Sequence, residues 1–185
     1  MTPSFLFLDL ETTGLNPKTC RIIEIAAIIT DDNFNPVDKF ESLIYQNANV
    51  GWEEGALKMH KDSGLFESAN KEGLLERDVE AKFAAFLSSK YLPKRKPFNL
   101  AGNSVHFDRG FLLSQMPSLE KYLTHRHLDV SSVRLLMQAS GIKSFNDGRA
   151  AHRAMDDITN SINELLYYKK FLQVPTQAQT VSVGA

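Results

Sequence analysis

The first apolar run of the chain, Phe5 to Leu10, carries hydrophobic side chains on both faces, which predicts a central strand covered from both sides. Two more strands are predicted over Arg21–Thr30, rich in isoleucine, and over Phe34–Tyr45. Asp31, Asp32 and Asn33 join them as a hairpin, so the chain begins as an antiparallel meander. From Trp52 to Asn70 the pattern is polar with scattered apolar residues and predicts one or two short helices around Ala56–His60, one wall of a cleft. Val79, Phe83, Phe86 and Leu87 fall at helical spacing within Glu76–Tyr91, and the basic run Lys94–Lys96 with Pro97 breaks that segment. A short strand over Phe98–Ala101 follows, then a helix opened by Asp108, with Phe111, Leu112 and Gln115 after it, as far as Pro117. Arg126–Val130 predicts a fifth strand and Ser131–Ala139 a helix closed at Gly141. Ala154, Ile158, Ile162, Leu165 and Leu166 mark the apolar face of a last helix.

Strands that come first as a meander and then alternate with helices suit an α/β, RNase H-like architecture, a mixed five-stranded sheet flanked by helices. With 185 residues, 43% of them hydrophobic, the chain has the length for one domain with a sizeable core. That domain is expected over residues 1–174. Residues 175–185, Gln, Thr, Val and small residues without a period, are expected to form a flexible tail. A formal net charge of −1 excludes bulk electrostatic attraction to long nucleic acid and favours short substrates held locally. The single Cys20 cannot form an internal disulfide, and neither a charged-then-apolar leader nor a long apolar run is present. A cytoplasmic protein without a membrane segment is expected.

Three blocks carry the chemistry. Asp9 and Glu11 stand two residues apart, so on a strand they point the same way, at the end where open α/β sheets hold their ligands. Two adjacent carboxylates repel unless a cation lies between them, and hard oxygen ligands favour Mg²⁺ or Mn²⁺. Thr12, Thr13 and Gly14 follow, two small hydroxyl residues and one tolerant of positive φ, which suits a tight turn whose backbone approaches a ligand closely. His152 and Asp157 are separated by five residues, about 140° around a helix, so His152 is placed in a loop or just ahead of the helix and Asp157 in its first turns. An imidazole beside a metal-bound carboxylate suits a general base that activates water, and Asp156 is the neighbour that could compete for the metal role. Asp108, in GNSVHFDRGFL, adds a further carboxylate. In this order and spacing the blocks read as a two-metal phosphodiester-cleaving site, in which Asp9, Glu11, Asp108 and Asp157 hold two divalent cations. A nuclease that removes nucleotides from a 3′ end is expected.

The set Asp9, Glu11, Asp108, His152 and Asp157 resembles the DEDDh group of 3′-to-5′ exonucleases, and within it the oligoribonuclease family. The likeness runs from about Phe5 to about Phe171 and includes LDLETTGLNP, RIIEIA, SGLFE, AGNS, MPSLEKYL, RHLDVSSV, and AHRAMDDI followed by ELLYY. It implies cleavage of short single-stranded RNA from its 3′ end to 5′-mononucleotides by a homodimer. It also implies that Leu15 wedges against a base, that Arg126 faces the 5′ phosphate, and that His60, Ser104 and Ser131 match substrate contacts. Three positions depart from the family pattern. Gly55 stands where a tryptophan stacks the substrate bases, His125 where a tyrosine precedes the arginine, and Phe107 where glutamine is usual. Loss of an aromatic platform weakens stacking by about 1–3 kcal/mol per base, which leaves a general single-strand DNA or RNA exonuclease open as an alternative.

Other readings fare less well. Carboxylates at a strand end are commonly just exposed residues, but here three blocks coincide. A haloacid dehalogenase type phosphatase uses a D-x-D pattern; here the second acid is Glu11, and no late acidic pair preceded by glycine follows. A module that grips 3′ ends without cutting does not need all five site residues, and all five are present. His60 stands open between substrate contact and plain surface, and Ser104 and Ser131 between phosphate contact and helix capping. Asp129 is expected to bond neighbouring backbone, and Lys94, Arg95 and Lys96 to form a solvated turn.

Overall fold

Strand β1 (Phe5–Thr12) runs through the middle of a five-stranded sheet. The computed structural model describes residues 5–46, 50–89, 97–145 and 153–172; His152, the basic run 94–96 and the segment 175–185 lie outside them. β2 (Ile22–Thr30) pairs antiparallel with β1, and β3 (Pro36–Leu43) antiparallel with β2. β4 (Phe98–Gly102) lies parallel to β1 and β5 (Leu123–Asp129) parallel to β4, giving the order β3-β2-β1-β4-β5. Six helices flank this sheet among the described residues: α1 (Glu54–Asp62), α2 (Leu65–Glu72), α3 (Glu76–Ser89), α4 (Val105–Gln115), α5 (Val130–Ala139) and α6 (Ala154–Lys169). A 3₁₀ turn over Pro117–Tyr122 leads into β5. The mixed five-stranded sheet flanked by helices is thus the architecture expected.

Alternation along β1 explains the two layers. Leu6, Leu8 and Leu10 point to one face, where they meet Val79, Phe83 and Leu87 of α3 and Phe111 and Leu112 of α4. Phe7 points to the other face, with Ala26, Ile28 and Ala101, and is covered by Val130 of α5 and by Ala154, Ile158, Ile162 and Leu165 of α6. Burying each such Leu, Ile or Phe contributes about 1.5–3 kcal/mol, so α6 is held in place chiefly by its apolar stripe. Asp9 and Glu11 share the face of Phe7, so they look toward α6 by the same period.

Several boundaries differ from the sequence expectation, two of them for a visible local reason. β1 continues two residues beyond the expected end at Leu10, to Thr12, so Glu11 as well as Asp9 lies within the strand. The helix expected to open at Asp108 begins at Val105, after Ser104 has turned into the left-handed region (φ 53). β3 starts at Pro36 because Phe34 also takes positive φ (68) and the Asp31 carboxylate accepts from the N–H groups of Asn33 and Asn35. β5 begins at Leu123, upstream of Arg126. As expected, Asp129 bonds backbone: its Oδ1 accepts from Ser132 N at 3.2 Å and caps α5.

Candidate active site

Oxygen atoms of Asp9, Glu11 and Asp157 lie within 4.8 Å of one another. The first two come from alternate positions of β1, and Asp157 comes from the first turn of α6, which packs on that face. Three carboxylates this close, and largely withdrawn from water, are costly when all are ionised. Burial, then Asp157 and Glu24, pushes the Asp9 carboxyl up to about 7. Burial, then Asp9, Asp157 and Glu24, pushes Glu11 up to about 8, against a lowering by Arg153.

Asp108 stands outside that group of three, on α4, whose apolar side packs on the opposite face of the sheet. It is 3% exposed, and its Oδ1 accepts the Leu10 N–H at 3.0 Å. Burial and then Asp9 hold its carboxyl well above the ordinary range, while the Leu10 N–H pulls it down. One oxygen is therefore committed to the β1 backbone between Asp9 and Glu11. His152 lies outside the described residues, one position before Arg153, the N-cap of α6.

The loop after β1 forms one side of a cleft of about 380 Å³, lined among others by Glu11, Leu15, Gly55, Met59 and Phe107. Leu15 stands on its rim, 72% exposed. Thr12 and Thr13 use their hydroxyls to hold the loop: Thr12 donates to Gly14 O at 2.7 Å, and Thr13 donates to Gly51 O and accepts from Arg21 N. Gly14 does not take the positive φ that the sequence suggested; its requirement is steric. A Cβ there would stand 2.4 Å from Glu53 Cδ and 2.7 Å from Cys20 Sγ. Glu53 cannot swing away freely, because its Oε1 accepts from Leu15 N at 3.0 Å. Gly14→Ala is accordingly expected to cost about 1–3 kcal/mol, read as a lower melting temperature; an unchanged value would show that Glu53 yields without penalty.

The structure gives His60 a place that neither expectation named. The ring is fully buried, with Nε2 2.9 Å from Thr12 O and 3.8 Å from Glu11 Oε2, edge-on to Trp52. It braces the end of β1 from behind rather than lining the cleft. Ser104 and Ser131 come together, their hydroxyl oxygens 3.2 Å apart, and Ser131 donates to Asn103 Oδ1. Arg134 fixes that Asn103 oxygen while pairing with buried Glu164. Arg126 is exposed on β5, the edge strand. Glu24, Glu53 and Arg153 had no assigned role in the sequence reading. Glu24 had a visible signal, a lone charge in the otherwise apolar strand β2.

A family model described as exonuclease (RNase T) matches residues 6–165. The oligoribonuclease of Acinetobacter baylyi is 41% identical over 175 residues, 90% of this chain and 92% of that one. The chain belongs to the oligoribonuclease family of DEDDh 3′-to-5′ exonucleases. The oligoribonuclease of Halorhodospira halophila is 37% identical over 182 residues, 93% of this chain and 96% of its own. Escherichia coli exonuclease I in complex with a dA16 oligonucleotide shares the RNase H-like fold, with a TM-score of 0.69 at 22% identity over 94% of this chain. This chain spans 41% of that exonuclease I chain, and the likeness is one of fold.

Within this oligoribonuclease-family chain the donor set fits a hard divalent cation. The oxygens of Asp9, Glu11 and Asp157 are close enough for one ion to be shared, and their mutual repulsion disappears once it is bound. Among the described residues no helix is long and apolar enough to cross a membrane.

Proposed function

We propose that the protein hydrolyses short single-stranded oligoribonucleotides from their 3′ ends to 5′-mononucleotides, in the cytoplasm and as a homodimer, with residues 1–174 as its exonuclease domain. The observation that carries this reading is the convergence of Asp9, Glu11 and Asp157 beside a cleft of nucleotide size. Asp9, Glu11, Asp108 and Asp157 would hold two divalent cations, Mg²⁺ or Mn²⁺. When bound, such ions supply Lewis acidity, easing deprotonation of water and offsetting charge on the phosphate and leaving oxygen.

The chain's own residues do the rest. His152 takes the proton of the attacking water at an imidazole nitrogen, as the water oxygen bonds to the terminal phosphorus and the 3′ oxygen of the penultimate nucleotide leaves. Leu15 wedges against a base at the rim of the cleft that Met59 and Phe107 also line. Thr12 and Gly14 present loop backbone to the terminal nucleotide, and the Ser104–Ser131 hydroxyl pair offers donors to phosphate. Arg126 meets the 5′ phosphate from its exposed strand, and His60 supports the site through Thr12.

A second reading, a general single-strand DNA or RNA exonuclease, is favoured by one observation: space at Gly55 is open, with nothing within 4 Å of a Cβ built there. A time course with labelled RNA and DNA oligomers from two to about twenty nucleotides, with Mg²⁺, Mn²⁺ or chelator, separates the two. Fast metal-dependent cleavage of the shortest RNA, slowing with length, is expected. Length-independent trimming, or a preference for DNA, would establish the second reading, and no cleavage of any oligomer would overturn both.

A further inference from the structure

Every residue of β2 is buried, and its only charged side chain is Glu24, which is 0% exposed between Ile23 and Ile25. A carboxylate taken out of water in this way is tolerated only with strong partners. Among the described residues Glu24 finds them at one place in the chain. Arg153 Nε donates to Oε1 at 3.0 Å and to Oε2 at 3.3 Å, and its Nη2 donates to Oε1 at 2.6 Å. The Ala154 N–H donates to Oε2 at 3.1 Å. Both oxygens are thus spent on the first turn of α6.

Helix α6 is short of such a partner on its own account. Its N-cap is Arg153, which makes no side-chain capping bond. The leading N–H groups of a helix need acceptors, and a negative charge there is favourable. Glu24 provides both from a neighbouring strand. The same turn carries Asp157, whose N–H donates to Arg153 O at 3.1 Å. Across the ladder Glu24 stands directly opposite Glu11. One side chain therefore ties the strand beside Glu11 to the turn that delivers Asp157.

We propose that Glu24 is a positioning residue: by gripping Arg153 and the Ala154 N–H it docks the first turn of α6 so that Asp157 meets Asp9 and Glu11, and it thereby sets the affinity for divalent cations. It is not itself a ligand, because both of its oxygens are engaged. The inference rests on the metal-site reading above and assigns Glu24 and Arg153 a part in it.

The test is Mn²⁺ titration calorimetry on the folded, metal-free protein without substrate, with circular dichroism to confirm folding. Glu24→Asp keeps the charge but is one methylene too short to hold Arg153 and the Ala154 N–H together. Glu24→Gln keeps the length but turns an amide NH₂ toward groups that are themselves donors. Both variants are expected to bind Mn²⁺ about 10–100-fold more weakly than wild type, the range for residues that orient metal ligands. Adding Arg153→Gln to Glu24→Gln should weaken binding no further, because the two residues act as one unit. Wild-type Mn²⁺ affinity in Glu24→Asp would overturn the proposal, leaving charge alone as the role of Glu24. Should Glu24→Gln fail to fold, Glu24→Asp carries the test. A wild-type protein that binds no Mn²⁺ would overturn the metal-site reading and this inference with it, whereas wild-type binding retained in the variants would overturn this inference alone.

Discussion

Asp157→Asn is expected to lower kcat about a thousandfold and, at the same time, to make the metal-free protein more stable above neutral pH. The first effect follows from removing one of the three carboxylates that converge within 4.8 Å. Loss of several kcal/mol of charge stabilisation in the transition state amounts to about a thousandfold in kcat. The second effect follows from what Asp157 does when no cation is present. It is the largest charged neighbour raising Asp9, and it also raises Glu11. An amide in its place relieves that repulsion without changing the size of the side chain. Each kcal/mol recovered raises the melting temperature by roughly 2–4 °C in a chain of this length. Kinetics with Mg²⁺ or Mn²⁺ and thermal melting in chelator at pH 8 read the two halves separately. Wild-type cleavage by this variant would sink the assigned metal cluster, and an unchanged melting temperature would contradict the electrostatic account.

The metal-free protein should lose stability as the pH rises from about 4 to about 8, and divalent cations should remove that loss. Asp9 titrates at about 7 in the folded state against an ordinary 3.8, and Glu11 at about 8 against 4.5. Both folded values are raised. Between the ordinary and the folded values, the folded state therefore holds protons that the unfolded chain has released. Stability is fully present below about pH 4 and is lost as the pH rises through about 7 and then 8, by a few kcal/mol in order of magnitude. Asp108 is shifted in the same direction and adds to the trend. A bound cation displaces those protons, so affinity should climb over the same window and binding should release protons. Melting curves from pH 5 to 9 in chelator and in Mg²⁺ test this; a flat profile in chelator would show that the carboxylates do not repel as their spacing requires.

Much of this site was legible in the sequence because it is built from periodicities. Asp9 and Glu11 share a face by the two-residue period of a strand, and the apolar stripe from Ala154 to Leu165 shows which way α6 docks. What was not legible depends on partners distant in the chain. Gly14 looked like a turn residue suited by its tolerance of positive φ, whereas Glu53 and Cys20 crowd it. Ser104 moved the start of α4 by adopting a left-handed conformation that nothing in its local pattern announces. His60 resembled a surface or substrate histidine because burial beneath Thr12 is a tertiary fact. Glu24 was conspicuous as a charge in an apolar strand, but only the fold shows that Arg153 lies against it.

The order of the elements also bears on how the protein is made. Among the described elements β1 is synthesised first, yet its parallel neighbour β4 follows only after α1, α2 and α3, and α6 comes last. Synthesis proceeds at about 5–20 residues per second, so Asp9 and Glu11 wait several seconds or more for Asp157. The carboxylate cluster cannot exist in a chain still being translated up to that point. Premature termination before α6 therefore yields a fragment without the assembled carboxylate group.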